Sequence, residues 1–180
     1  MIKLMGKRIY LAALEREHCR KLGEDFEYDF KNPAEPLNLG YSLEESENWY
    51  NDIQKDSGKH IRLGIFLLDG NIIGDIGLQN IDWKNRKCDI GVGFSKLEHR
   101  NKGYGSEAVA LLLEYAFNNM GLIRVEATTQ DLNIPAQKSL EKLGFSLEGR
   151  QRNAIYWGGK YHDCLLYAIL TEEYRKNQQN

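Results

Sequence analysis

The run Arg100-Asn101-Lys102-Gly103-Tyr104-Gly105-Ser106 places two cations, two glycines and a hydroxyl between a stretch that reads as a strand and one that reads as a helix. Glycines let a backbone turn tightly and approach a ligand closely. The first N–H groups of a helix have no intrahelical partner, so several of them can converge on a pyrophosphate. Arg100 and Lys102 add cationic reach. The loop is neither a Walker A loop, which needs Gly-Lys-Ser/Thr, nor a dinucleotide fingerprint, which needs a third glycine. A Gly-x-Gly pair alone equally marks an ordinary strand-to-helix turn.

The elements that must position this loop follow from hydrophobic spacing. Residues 8–14 alternate as a half-buried strand, and Glu15 to Glu24 has helical spacing. An irregular stretch from Phe26 to Tyr41, with Pro33, Pro36 and Gly40, leads to Ser42-Leu43-Glu44-Glu45, a capping box that opens a helix carrying Trp49 and Tyr50 to about Asp56. Residues 62–68 and 71–78 flank Asp69-Gly70, a hairpin signal, and Trp83 to Arg86 form a second turn. Lys87 to Phe94 then alternates, with Cys88, Ile90, Val92 and Phe94 on one face. Ser106 to Met120 is helical, closed by Gly121. Ile123 to Thr129 is a strand, and Asn133 caps a short helix with Pro135 in its first turn and Gly144 at its end. A strand to Trp157, a Gly158-Gly159 turn and a strand from Lys160 to Leu170 close the chain.

The order βαα, βββ, αβ, αββ predicts an α/β (α+β) fold in which one mixed, mostly antiparallel sheet of about seven strands carries helices on both faces. A chain of 180 residues suits a single domain over residues 1–180, with a core over about 7–172.

Composition narrows the function. With 42% hydrophobic and 28% charged residues and only three prolines, the chain reads as a soluble globular protein. Met1 to Arg8 lacks the apolar core of a secretory signal and no segment reaches membrane-spanning length, so the expectation is a cytosolic protein without a membrane partner. Cys19, Cys88 and Cys164 are widely separated and read as reduced structural thiols, and the four histidines show no metal-ligand spacing, so no metal is expected. A net charge of −2 gives no case for nucleic acid. Between Glu15 and Asp56, however, twelve acids face five bases, a local charge of −7. The plain reading is two solvated helix faces, and the functional one is an acidic rim that attracts a cationic amine.

Arg100 to Gly105 resembles the Arg/Gln-x-x-Gly-x-Gly/Ala signature of the GCN5-related N-acetyltransferases (GNAT). Asn133-Ile134-Pro135-Ala136 followed by Glu141-Lys142-Leu143-Gly144-Phe145 resembles their second hallmark. The two occur in the family's order, and the likeness spans nearly the whole chain. Ser42 to Glu45 with Trp49, Phe145 to Gly149 and Gly158 to Asp163 resemble the RimJ/RimL-like branch, which contains ribosomal-protein N-terminal acetyltransferases and spermidine acetyltransferase. The resemblance implies acetyl-CoA as co-substrate and a primary amine as acceptor, either a protein N-terminus or a small polyamine- or aminoglycoside-like molecule. A non-catalytic acyl-CoA-binding module is the alternative. Homodimers are common in the branch, and the Trp157 hairpin is an open candidate for an interface.

By the same resemblance, the pantetheine arm inserts between the Lys87 to Phe94 and Ile123 to Thr129 strands and pairs with the main chain of Val92, Gly93 and Phe94. Its pyrophosphate meets Arg100, Asn101, Lys102, Gly103, Tyr104, Gly105 and Ser106, and Asn133 and Lys142 approach from the other side. A lysine-like amine, with a pKa of about 10.4, must lose a proton before it attacks. Glu126 and Asp89, on the strands bordering the cleft, and then Glu148 are the candidate bases, each also readable as a carboxylate of a sheet-edge ion pair or turn. Many members place a tyrosine where this chain has Leu140, to protonate the departing thiolate. Ser139 is adjacent but points about 100° away on a helix.

Overall fold

A computed structural model of the protein describes residues 2–30, 42–55 and 58–179. Eight strands form one sheet in the order β1-β2-β3-β4-β5-β6-β8-β7. They are β1 (Lys3–Met5), β2 (Ile9–Ala13), β3 (Ile61–Leu67), β4 (Ile72–Asp82), β5 (Lys87–Phe94), β6 (Arg124–Gln130), β7 (Ser146–Trp157) and β8 (Lys160–Leu170). The helices are α1 (Arg16–Glu24), α2 (Leu43–Gln54), α3 (Tyr104–Asn118), α4 (Ile134–Lys142) and α5 (Thr171–Gln178). Every strand pair is antiparallel except β5 with β6, which α3 joins as a crossover.

Period-2 alternation sends one side chain set of each strand to each face. Ile9, Leu11, Ile65, Ile76, Leu78 and Val125 go to one face, where Leu112, Leu113, Ala116 and Phe117 of α3 cover them without residual exposure above 3%. Burying each such Leu or Ile contributes on the order of 1.5–3 kcal/mol. On the other face a smaller cluster of Leu14, Cys19 and Leu22 packs with Trp49, Tyr50 and Ile53 of α2 and with Ile72. The α2 capping box forms as its sequence demands, with Ser42 Oγ accepting from Glu45 N–H at 3.2 Å and Ser42 N–H donating to Glu45 Oε2 at 2.7 Å.

The sheet thus has eight strands rather than about seven, and two elements are additional. Strand β1 pairs with β2 over Lys3↔Ala12, Leu4↔Leu11 and Met5↔Tyr10, too short a run to show alternation. Helix α5 offers a single buried residue, Tyr174, which packs its ring 5.1 Å from that of Phe117, so it has no apolar period to read. Leu4 and Tyr174 both join the core, extending the packed unit beyond residues 7–172. The irregular stretch with Pro33, Pro36 and Gly40 and the α2 end at Asp56 lie outside the described residues. Among the described residues no helix is long and apolar enough to cross a membrane.

What the topology does for function lies at the one parallel pair. Strands β5 and β6 are in register only at Lys87↔Arg124, Cys88↔Val125 and Asp89↔Glu126. Beyond Asp89 they part, β5 staying with β4 to Phe94 and β6 with β8 to Gln130.

Candidate functional site

The parting strands open a cleft of about 450 Å³. Ile90 to Phe94 of β5 form one wall and Ala127 to Gln130 of β6 the other. Along these stretches the strands have no ladder with each other, so main-chain groups on the facing edges are available to an extended ligand. Val92, which the alternation assigns to the Cys88 and Ile90 face, is 42% exposed because that face here borders the cleft instead of core. The bounding helices supply Val109 and Ser106 from α3 and Pro135, Ala136, Ser139 and Leu140 from α4.

The Arg100 to Ser106 loop closes the outer end. Gly103, the N-cap of α3, has φ +81°, and Asn101 has φ +58°, both in the left-handed region. Glu107 N–H is the first to bond back into the helix, to Gly103 C=O at 3.1 Å, so the N–H groups of Tyr104, Gly105 and Ser106 precede the intrahelical ladder. Arg8 of β2's leading turn holds this loop from behind. Its Nη1 donates to Lys102 C=O at 2.8 Å, its Nε donates to Glu107 Oε2 at 2.9 Å, and its backbone N–H donates to Glu107 Oε1 at 2.8 Å. Burial works to raise the Glu107 pKa, but these bonds from Arg8 outweigh it and keep the carboxyl below its usual range. Arg100 pairs with Asp29, which also lines the cleft, with Nη1 3.9 Å from Asp29 Oδ2.

Of the residues expected around a cofactor, Val92, Gly93, Phe94, Arg100, Asn101, Gly103, Gly105, Ser106 and Asn133 line the cleft. Lys102 contributes its carbonyl to Arg8, Tyr104 lies under the Arg8 guanidinium at 5.0 Å, and Lys142 sits exposed at the end of α4, so these three side chains are outside the lining. Asn133 Oδ1 caps α4 by accepting from Ala136 N–H at 3.2 Å.

The three candidate carboxylates gather at the closed end and are not among the cleft-lining residues. Asp89 accepts from Asn80 Nδ2 at 2.6 Å. Glu126 accepts from Arg124 Nε at 2.6 Å and from Lys87 Nζ at 3.4 Å. Glu148 accepts both Arg124 Nη groups, Nη1 at 2.9 Å. The Arg124 hydrogen bond is the chief reason that Glu126 and Glu148 are both held below the usual carboxylate range.

Three lining residues escape a reading by sequence pattern. Ile155 of β7 and Cys164 of β8 reach the cleft because the closing hairpin folds against β6, a contact without local signal. Ser139, read as pointing away, lines the cleft beside Leu140, since the end of the short α4 presents both, and its Oγ lies 2.7 Å from Ser106 Oγ of α3. Burial pushes the Cys19 and Cys88 thiols up to about 11 and about 12 and raises that of Cys164.

Comparison with known proteins agrees with this geometry. The acetyltransferase (GNAT) domain description matches residues 8–146. A Bacillus subtilis (strain 168) relative, YdaF, which bears the provisional name of ribosomal N-acetyltransferase, is 36% identical over 108 residues, 60% of this chain and 58% of that protein. The spermidine N(1)-acetyltransferase of Escherichia coli (strain K12) is 25% identical over 171 residues, 92% of this chain and 88% of that protein. The spermidine N-acetyltransferase of Vibrio cholerae, solved in complex with CoA and spermine, superposes with a TM-score of 0.76 at 23% identity, covering 94% of this chain and 99% of that one. The alignments with YdaF and two further Bacillus relatives span 58%, 57% and 50% of those proteins' own lengths, little more than half. A cleft between splayed strands, a glycine loop at its mouth and a domain match over most of the chain converge on one statement: the chain belongs to the GNAT acetyltransferase family.

Proposed function

We propose that the protein is an N-acetyltransferase that moves the acetyl group of acetyl-CoA to a primary amine by direct attack. The observation that carries the reading is the splay of β5 from β6 with the α3 loop at its outer end. It matches an elongated substrate with an anionic end: N–H groups and Arg100 for a pyrophosphate, strand edges for an amide-bearing arm. Direct attack forms a C–N bond at the thioester carbonyl, puts negative charge on its oxygen, and then breaks the C–S bond to release a thiolate. A main-chain N–H of the unpaired β5 edge near Phe94 is the donor suited to that oxyanion.

Leu140, which is buried, offers the leaving thiolate no proton, but the adjoining Ser139 and Ser106 hydroxyls offer it a hydrogen bond. Asp89, Glu126 and Glu148 are each engaged by a donor at the closed end, so we read the amine proton as leaving through water rather than directly to one of them. The acceptor is a small polyamine-like amine or a peptide N-terminus, consistent with a relative named for spermidine. A RimJ/RimL-like branch and a cytoplasmic location belong to the same reading, the latter supported by three free cysteines. So does a homodimer through edge strand β7, whose hairpin exposes Tyr156 by 66% and Tyr161 by 64%; a monomeric solution mass would remove it.

The test has two parts. Thiol release from acetyl-CoA is measured against spermidine, spermine, aminoglycosides, amino acids and short peptides, and release with one amine class is the expected result. In parallel, maleimide labelling of Cys164, the cleft thiol, is expected to slow at least several-fold when CoA is present. Protection without turnover would favour a binding module, and neither would refute the assignment of the cleft.

A further inference from the structure

Strand β4 turns Ile76 and Leu78, both fully buried, towards α3, so Asp75, Gly77 and Gln79 face the α1 and α2 side of the sheet. There Asp75 stands among glycines: Gly64 is its partner on β3, Gly93 its partner on β5, and Gly91 lies opposite Gly77. These glycines are not equivalent. A Cβ on Gly64 would come within 2.6 Å of the Phe66 ring, and one on Gly77 within 3.0 Å of Arg62 Cδ, so both are roofed. Over Gly91 the nearest atom is the end of the Gln79 side chain at 3.7 Å. This face is therefore open over Gly91, and the Gly91 to Gly93 strip is backbone that lines the cleft.

Asp75 stands beside that strip, with no Gly93 side chain to intervene. Its side chain keeps 22% exposure. Arg62 Nη1 lies 3.1 Å from its Oδ2, and Arg62 is itself fixed by the Trp49 ring, 5.8 Å from its guanidinium carbon, and by the Gln79 carboxamide oxygen at 3.2 Å. Burial pushes the Asp75 carboxyl up against the opposing pull of Arg62. A mostly buried carboxylate, held by Arg62 beside backbone that lines the cleft, is the kind of perturbed charged group that clusters at functional sites. The other side of the cleft is bounded by Val109, Leu140 and the hydrogen-bonded Ser106 and Ser139, none of which offers a charge to a cationic second substrate.

We propose that Asp75 receives the ammonium group of the acceptor as it approaches over the Gly91 to Gly93 strip, exchanging its pairing with Arg62 for one with the amine. This rests on the N-acetyltransferase reading and adds to it the site that selects a cationic primary amine.

The test compares wild type, Asp75→Asn and Arg62→Gln in steady-state kinetics with an amine that the wild type acetylates. Hydroxylamine, uncharged at neutral pH, serves as a second nucleophile, with calorimetric CoA affinity and urea midpoints alongside. Loss of one charge-assisted hydrogen bond is expected to raise the cationic amine's KM roughly tenfold or more in Asp75→Asn. The kcat, the KM for hydroxylamine and the CoA affinity should stay within about threefold, well below that change. Arg62→Gln, which leaves the carboxylate with less competition, is expected to hold or lower the amine KM, and it answers the question if Asp75→Asn does not fold. An unchanged amine KM in Asp75→Asn, an equal rise for hydroxylamine, or a raised amine KM in Arg62→Gln overturns the proposal, showing Asp75 to be only the counterion of Arg62. Wild type that binds CoA yet acetylates no amine would remove the underlying reading instead, and this inference with it.

Discussion

Gly103→Val is expected to weaken CoA binding at least tenfold in calorimetry. Gly103 sits at φ +81°, ψ +1°, a left-handed conformation that costs an L-residue about 1–2 kcal/mol and a β-branched one more. Its added Cβ would also lie 3.0 Å from Arg8 Nη2. The chain can relieve this only by rotating the loop, which pulls the Lys102 carbonyl from Arg8 and scatters the Tyr104, Gly105 and Ser106 N–H groups away from a common focus. Each lost hydrogen bond to a charged phosphate is worth about 1.5–3 kcal/mol, so the binding loss exceeds the strain itself. The α3 core residues Leu112 and Leu113 are remote from the change, so the urea midpoint should move modestly. A Kd for CoA that stays at the wild-type value, with the whole penalty appearing as lost stability, would mean that the loop's N–H groups are not the anion site.

The loop could be read from sequence because its signals are local: two glycines, two cations and a helix start lie within seven residues. The alternation of β5 was also legible, since Cys88 and Ile90 are buried as their spacing requires. What sequence does not carry is where a parallel pairing stops. Asp89 and Glu126 lie on the two strands that border the cleft, but the ladder holds until just those residues, so both are placed at its closed end. Cys164 and Ile155 reach the cleft through contacts between residues far apart in the chain. Arg8 and Glu107 are separated by 99 positions, and neither carries a pattern that announces the other. Strand β1 and helix α5 failed for the opposite reason: both are real elements with too few apolar residues to form a period.

The largest stability effect should come from Arg124→Ala. Arg124 is the cation between two carboxylates, donating Nε to Glu126 and both Nη groups to Glu148, with side-chain exposures of 27%, 28% and 45%. Without it Glu126 retains Lys87, but Glu148 loses its partner and the two like charges face each other across β8, which lies between β6 and β7. At neutral pH we expect a loss of about 1–3 kcal/mol, the exposed Glu148 share being weakened by solvent screening. The pH dependence fixes the cause. Arg124 holds both carboxyls below their ordinary range, so the stability they contribute is present above the unfolded glutamate pKa of about 4.3 and lost as pH falls through the lower folded values. The gap in urea midpoint between wild type and Arg124→Ala should therefore be widest near pH 7 and close towards pH 3. A constant gap would point to lost packing of the arginine stem instead. The same variant bears on Glu126 as a base: removing Arg124 lifts its pKa, so a direct role would shift the acidic limb of kcat/KM to higher pH. Transfer of the proton through water would leave that limb in place while stability alone declines.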